Sequence, residues 1–246
     1  MPIDLFGNRV LESGVTINGD YNKRITREGL ILYLDAGDLN SYPGTGTVWY
    51  DLSEYGHDAT ITGSPTWGTV SGTTAFTHTV FAQWYSGSLT SSVAPTLQCT
   101  IETWIALSGS EIAGGSVDRG CIFVSTGGSG IYHSYNRSSY DQSNYWYSHY
   151  PEGYHESGAP LSIQKWQQVV GVWDNRNMYQ WVDGVLTSVS NVVGTSSASA
   201  GYNIGSQGGT SRSFAGSYGI VRLYNRALHP YEIGENFQAN KRRFGL

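Results

Sequence analysis

The stretch "MYQWVDGVLTSVS", residues 178–190, decides the fold class. Asp183 and Gly184 sit between two runs in which apolar residues alternate with polar ones. A type I′ turn needs positive φ at both central residues, and Asp-Gly meets that need with little strain. The stretch therefore predicts two antiparallel strands joined by a two-residue turn. Just upstream, "KWQQVVGVWD" (165–174) reads as a further strand, rich in β-branched and aromatic residues. "LILYLDAG" (30–37), "TLQCTIETWIAL" (96–107), "GCIFVST" (120–126) and "YGIVRLYNRAL" (218–228) read the same way. In the first of these, Leu30, Leu32 and Leu34 fall on one face and Ile31 and Tyr33 on the other, which suits a strand buried on both sides. "SYPGTG" (41–46) breaks the chain. Short strands punctuated by turns, with no alternating helices, point to an all-β, two-sheet antiparallel sandwich. One helix is expected after Leu228. Pro230 suits a first helical turn, and Ile233 and Phe237 lie four apart on one face. It is expected to cover an end of the sandwich.

The composition narrows the function classes. Only 13% of the 246 residues are charged, against roughly 25% in an average soluble domain. Aromatic residues make up 13%, ample material for a core, which argues against disorder. The net charge is -5, and the one cationic run is Lys241, Arg242, Arg243. A phosphate-binding face, and with it a nucleic-acid partner, is not expected. No apolar run approaches the ~20 residues of a membrane helix. "MPIDLFGNRVLESG" (1–14) lacks the basic-then-apolar pattern of a signal peptide. Residues 1–28 differ from the rest, being more charged, poor in large apolar residues and carrying the turn signal Asn18-Gly19-Asp20. They read as a docking arm or a disordered leader, and residues 29–246 as a single domain. Cys99 and Cys121 read either as two buried thiols or as an inter-strand disulfide, and their spacing is not that of a zinc site.

The densest chemistry lies in "NYWYSHYPEGYH" (144–155). If 144–150 is extended, Tyr145, Tyr147 and His149 share one face, and Trp146, Ser148 and Tyr150 share the other. Pro151, Glu152 and Gly153 are expected to turn the chain and leave Tyr154 and His155 in a loop. Tyr132 and Tyr135 extend the same surface. Rings with a polar handle suit a core, a sugar face or a protein interface, and the expectation is a ligand or partner surface. His133, His149 and His155, with Glu152 and Glu156 nearby, could also hold zinc, but they read better as polar residues on neighbouring strands. Asp35, Asp38, Asp51 and Asp58 form the richest acidic neighbourhood, and they read as turn-forming residues that hold backbone N–H groups rather than as calcium ligands.

Catalysis is not expected. A glycosidase needs two carboxyl groups roughly 5 to 9.5 Å apart, yet no Asp or Glu has another two positions away. Glu152 and Glu156 would be about 13 Å apart on an extended strand. Glu102 reads as a lone polar residue on the solvent face. Neither a G-x-S-x-G element nor a G-x-x-x-x-G-K loop is present.

Six segments, in order, carry a family resemblance: "GLILYLDAGDLNSYPGTGTVWYDLS" (29–53), "TIETWIAL" (100–107), "KWQQVVGVWD" (165–174), "MYQWVDGVL" (178–186), "YNIGS" (202–206) and "FAGSYGIVRLYNRALHPYEIGENF" (214–237). The chain resembles the laminin-G-like, concanavalin A-like jelly-roll superfamily over residues 29–246. The variant with "LDAGDLNSYPGTGTVWYDLS" near its start and "KRRFGL" at its end is similar to structural proteins of tailed bacteriophages. The resemblance implies two antiparallel sheets packed face to face, and modules that mostly bind glycans or proteins. Some members bind calcium at the rim through acidic residues. Here the matching region, "TAFTHTVFAQWYSG" (74–87), holds no Asp or Glu. No cofactor is expected, calcium being the one cation the family leaves open. The expected function is a non-catalytic virion protein (capsid decoration, fibre or adhesin component), homo-oligomeric, docking to a virion protein and meeting a host glycan. The alternatives are a secreted carbohydrate-binding lectin and, behind it, a glycoside hydrolase.

Overall fold

The computed structural model describes residues 25–246 except 81, 96–97, 109–118, 127–131, 138–143, 151–152, 192–199 and 207–212, and between 119 and 160 it describes the backbone alone. Among these residues, strands form two antiparallel sheets. The first runs β14 (Val185–Asn191), β13 (Asn177–Val182), β12 (Trp166–Asp174), β7 (Gln98–Leu107), β16 (Gly216–Tyr224), β5 (Thr73–His78) and β4 (Thr66–Val70). β1 (Leu30–Asp35) pairs with the far half of β16. The second runs β11 (Gly153–Pro160), β10 (Asn144–Tyr150), β9 (Tyr132–Arg137), β8 (Arg119–Thr126), β15 (Gly201–Ile204), β6 (Trp84–Ser88), β3 (Ala59–Thr62) and β2 (Val48–Trp49). The expected all-β sandwich is what the chain builds. Val182 pairs with Val185 across the 183–184 turn, where Asp183 has φ 51° and Gly184 φ 76°, both positive as a type I′ turn demands.

Large rings from both sheets fill the space between them. Trp49 lies edge-on to Phe76 and to Tyr85, each at 4.9 Å between ring centroids. β1 is buried along nearly its whole length, as its apolar residues on both faces predict. Cys99, fully buried, is a free thiol, and burial pushes its pKa up.

The helix α1 (Pro230–Asn240) forms where Pro230 predicts it, capped by His229 and Glu232. Its position corrects an expectation: it lies across the outer face of the first sheet rather than over an end. Phe237 stacks on Trp104 at 5.8 Å, and Ile233 packs with Val170 and Val172. Phe244, just beyond the helix, stacks on Trp104 at 4.3 Å. That face carries too much apolar area to leave in water, and the C-terminal segment covers it.

Glu102 corrects a second expectation. It is 1% exposed, not a solvent-facing residue. Arg222 stands opposite it in register and donates from Nη1 to Glu102 Oε1 at 2.8 Å. Gln168 Nε2 (2.9 Å) and Trp104 Nε1 (3.2 Å) donate to the same oxygen, and Asn236 of α1 donates to Oε2 at 2.7 Å. Burial alone would lower the pKa of Arg222, but the Glu102 charge, with Tyr33 and Tyr224 beside it, outweighs burial and holds the guanidinium charged. A carboxylate loses several kcal/mol of hydration when buried, and only such a set of partners offsets it.

The two ends of the described chain meet on this layer. Thr26 N donates to Asn236 Oδ1 at 2.8 Å, and Tyr224 OH donates to Thr26 O at 3.2 Å, so residues 25–28 lie on the domain. Residues 1–24 of the expected arm fall outside the described residues. Arg243 pairs with Asp35 at 2.7 Å, and a Cβ at Gly37 would collide with that guanidinium.

Candidate functional site

The predicted aromatic residues lie on three neighbouring strands, β9, β10 and β11, at one edge of the second sheet. β10 is extended as expected, but Tyr154 and His155 are not in a loop. Tyr150 pairs directly with Gly153, so β11 begins there, and His149 stands opposite Tyr154 and Ser148 opposite His155. Two cross-strand lines then sort the predicted residues by face. One runs Tyr85, Ile204, Phe123, His133, Ser148, His155. It starts from buried Tyr85 and Ile204, so its parity is that of the face turned toward the first sheet. Trp146 and Tyr135, opposite one another, share that parity, as does Tyr150. The next line runs Ser86, Asn203, Val124, Tyr132, His149, Tyr154 on the outward face. Tyr145 and Tyr147 share its parity. The predicted cluster is thus divided, with Tyr132, Tyr145, Tyr147, His149 and Tyr154 outward and Tyr135, Trp146, Tyr150 and His155 on the other face.

The outward line leads into a feature the sequence reading missed. Thr60, Ser86 and Asn203 form one cross-strand row, and Ser88 and Gly201 lie on the same face. Together they line a shallow, polar groove of about 410 Å³. Nothing local marks these small residues. Their one signal was Ser86 and Ser88, two apart and so on one face of a strand, in "WYSGS".

The same parity argues against zinc. His133 and His155 share a face, but His149 is on the other. The four aspartates hold backbone N–H groups as expected. Asp51 Oδ1 accepts from Tyr33 N (2.7 Å) and Ser53 N (2.9 Å), and its Oδ2 accepts from His57 N (2.9 Å). Asp58 accepts from Asp51 N, Asp35 from Gly37 N and Asp38 from Asn40 N. Their role is to hold the turns that flank β1 and β2. No group of three His, Cys, Asp or Glu gathers among the described residues. Glu102 is unsuited to hydrolysis, because both its oxygens are taken up beneath α1.

The family profile described as "Concanavalin A-like lectin/glucanases superfamily" matches residues 85–234, more than half of the chain. The chain belongs to this superfamily. No curated protein matches it in sequence. Solved structures share the superfamily's fold at low identity. The receptor-binding domain of a botulinum neurotoxin C/D mosaic serotype is 14% identical, with a TM-score of 0.64 over 85% of this chain and 51% of that one. Domain 4 of an extracellular arabinanase from Geobacillus stearothermophilus, solved with arabinotriose, is 15% identical, with a TM-score of 0.61 over 87% of this chain and all of that one. Trypanosoma rangeli sialidase, solved with sialic acid, is 15% identical, with a TM-score of 0.63 over 96% of this chain and 36% of that one. The chain thus spans about half the length of the neurotoxin domain and about a third of the sialidase.

Proposed function

We propose that this superfamily member is a non-catalytic glycan-binding module, and that the outward face of its second sheet is the binding surface. One observation carries the reading: three neighbouring strands bring Tyr132, Tyr147, His149 and Tyr154 onto one face, in line with the polar groove at Ser86 and Asn203. A sugar presents C–H faces that pack on rings and hydroxyls that need donors and acceptors, and this face offers both kinds of partner side by side. The arabinotriose and sialic acid complexes of structures with this fold agree with it. A glycan array, run with calcium and again with chelator, tests it. Specific binding that survives chelator and is weakened by Tyr147→Ala is expected. Loss with chelator would overturn the metal-free site, and silence under both conditions would overturn the module.

The setting we propose is the virion of a tailed bacteriophage, where the module serves as decoration, fibre or adhesin, docks to a virion protein and assembles with copies of itself. The two segments that carry that resemblance meet in the fold, where Arg243 pairs with Asp35. Mass spectrometry of purified virions tests the setting. Absence from virions with glycan binding intact would leave the secreted lectin.

A further inference from the structure

A second cleft, of about 490 Å³, opens on the outer face of the first sheet beside the start of α1. It is within the range of small-molecule sites, about 300–1,000 Å³. Its floor includes Val172 and Leu228, both buried in the core cluster beneath the helix. Tyr179 and Trp181, two apart on β13, line one side, and Tyr231, 62% exposed, lines the other. The His229 and Tyr231 rings lie 4.7 Å apart.

The polar groups of this cleft are held rigidly. Arg226 grips Glu232 through two bonds of 2.6 and 2.8 Å, and its Nε donates to Glu28 O. Asp174 accepts from the N–H groups of Asn177 and Arg176 and from Tyr179 OH, the last at 3.0 Å. Desolvation would raise the Asp174 pKa, but these bonds prevail and hold it low. The Arg226 bonds do the same for Glu232. Three carboxylates (Glu28, Asp174, Glu232) therefore face one guanidinium, and an acidic ligand is repelled. The helix N-terminus offers an anion nothing either, because its N–H groups are engaged by the cap: His229 N donates to Glu232 Oε2 and Tyr231 N to His229 Nδ1. With Nδ1 accepting, the His229 proton sits on Nε2. What remains for a ligand is a mixed set: the His229 Nε2–H, the spare acceptor capacity of Tyr179 OH and Glu232, and three rings. An apolar peptide would leave those polar groups unpaired. A saccharide hydroxyl donates and accepts at once and matches them.

We infer that this cleft is a second saccharide site, selective for neutral sugar units and independent of the second sheet's outward face. The inference rests on the glycan-binding reading. The test measures affinity for neutral and sialylated oligosaccharides in the parent chain, Tyr231→Ala, Trp181→Ala and Tyr147→Ala. Tyr231 is exposed enough that its replacement leaves the fold intact. The expected result is roughly tenfold weaker binding of neutral sugars in both cleft variants, with sialylated ligands unaffected. Parent-like binding of every glycan by both cleft variants, with loss in Tyr147→Ala, would overturn the cleft site and leave the module standing. A parent chain that binds no glycan would overturn both. Selective capture of lysine-rich peptides by the cleft, abolished in Tyr231→Ala, would also overturn it, by showing a cationic ligand.

Discussion

Replacing Glu102 is the sharpest perturbation the fold offers. Its carboxylate is 1% exposed and receives Arg222, Gln168, Trp104 and Asn236. Glu102→Gln keeps the volume but leaves the fully buried Arg222 guanidinium without its counter-charge. Breaking one partner of a buried ion pair costs about 3–5 kcal/mol. Against a total of about 5–15 kcal/mol, that is a large share of the stability. Arg222→Met alone leaves the carboxylate uncompensated and is expected to cost a similar amount. The double variant removes both charges and should be less destabilised than the sum of the singles, with a coupling of about 2 kcal/mol or more. Urea unfolding followed by tryptophan fluorescence reads all four proteins, with Trp104 adjacent to the pair. Single variants within about 0.5 kcal/mol of the parent, or singles that simply add, would refute the reasoning. So would a sugar-cleaving activity abolished by Glu102→Gln with stability unchanged.

His78 gives a pH test. It is buried, and burial lowers its pKa from 6.5 to about 3. The unfolded chain therefore binds the extra proton first, so stability is complete above about pH 6.5 and falls as pH drops toward 3, by up to about 5 kcal/mol. His78→Phe should flatten urea-unfolding profiles above about pH 5, where carboxylates do not yet titrate. Gly184→Ala puts a side chain at φ 76° and 3.1 Å from Phe237, and should lower stability by about 1–2 kcal/mol in the same assay. Arg243→Ala should lower the melting temperature by a few degrees, because it frees Asp35 and uncovers Phe244.

What the sequence disclosed was local. Asp183-Gly184 fixed one hairpin, the double-faced apolar run of β1 announced its burial, and Pro230 marked the first turn of α1. Glu102 was misread because a single carboxylate in an alternating strand resembles a solvent-facing residue. The partner that buries it, Arg222, is 120 residues away. The helix was misplaced for a related reason: its apolar stripe shows that it packs, not against what. Tyr154 and His155 were assigned to a loop because Pro151, Glu152 and Gly153, just before them, read as a turn, while the pairing of Tyr150 with Gly153 is a fact of the sheet. The groove at Ser86 and Asn203 was invisible because its residues are small and come together only by register.

The pairing of β1 with β16 has a kinetic consequence. Leu34 lies beside Val221 and Asp35 beside Ile220, so the first strand finds its neighbour nearly two hundred residues later. A ribosome delivers β1 early, apolar on both faces, and withholds its partner until most of the domain has emerged. Closing so long a loop is slow, and the waiting strand is a template for unwanted association. This domain therefore cannot complete its fold until β16 has emerged. Its yield should depend on temperature and expression rate more steeply than that of a domain stitched together by local contacts.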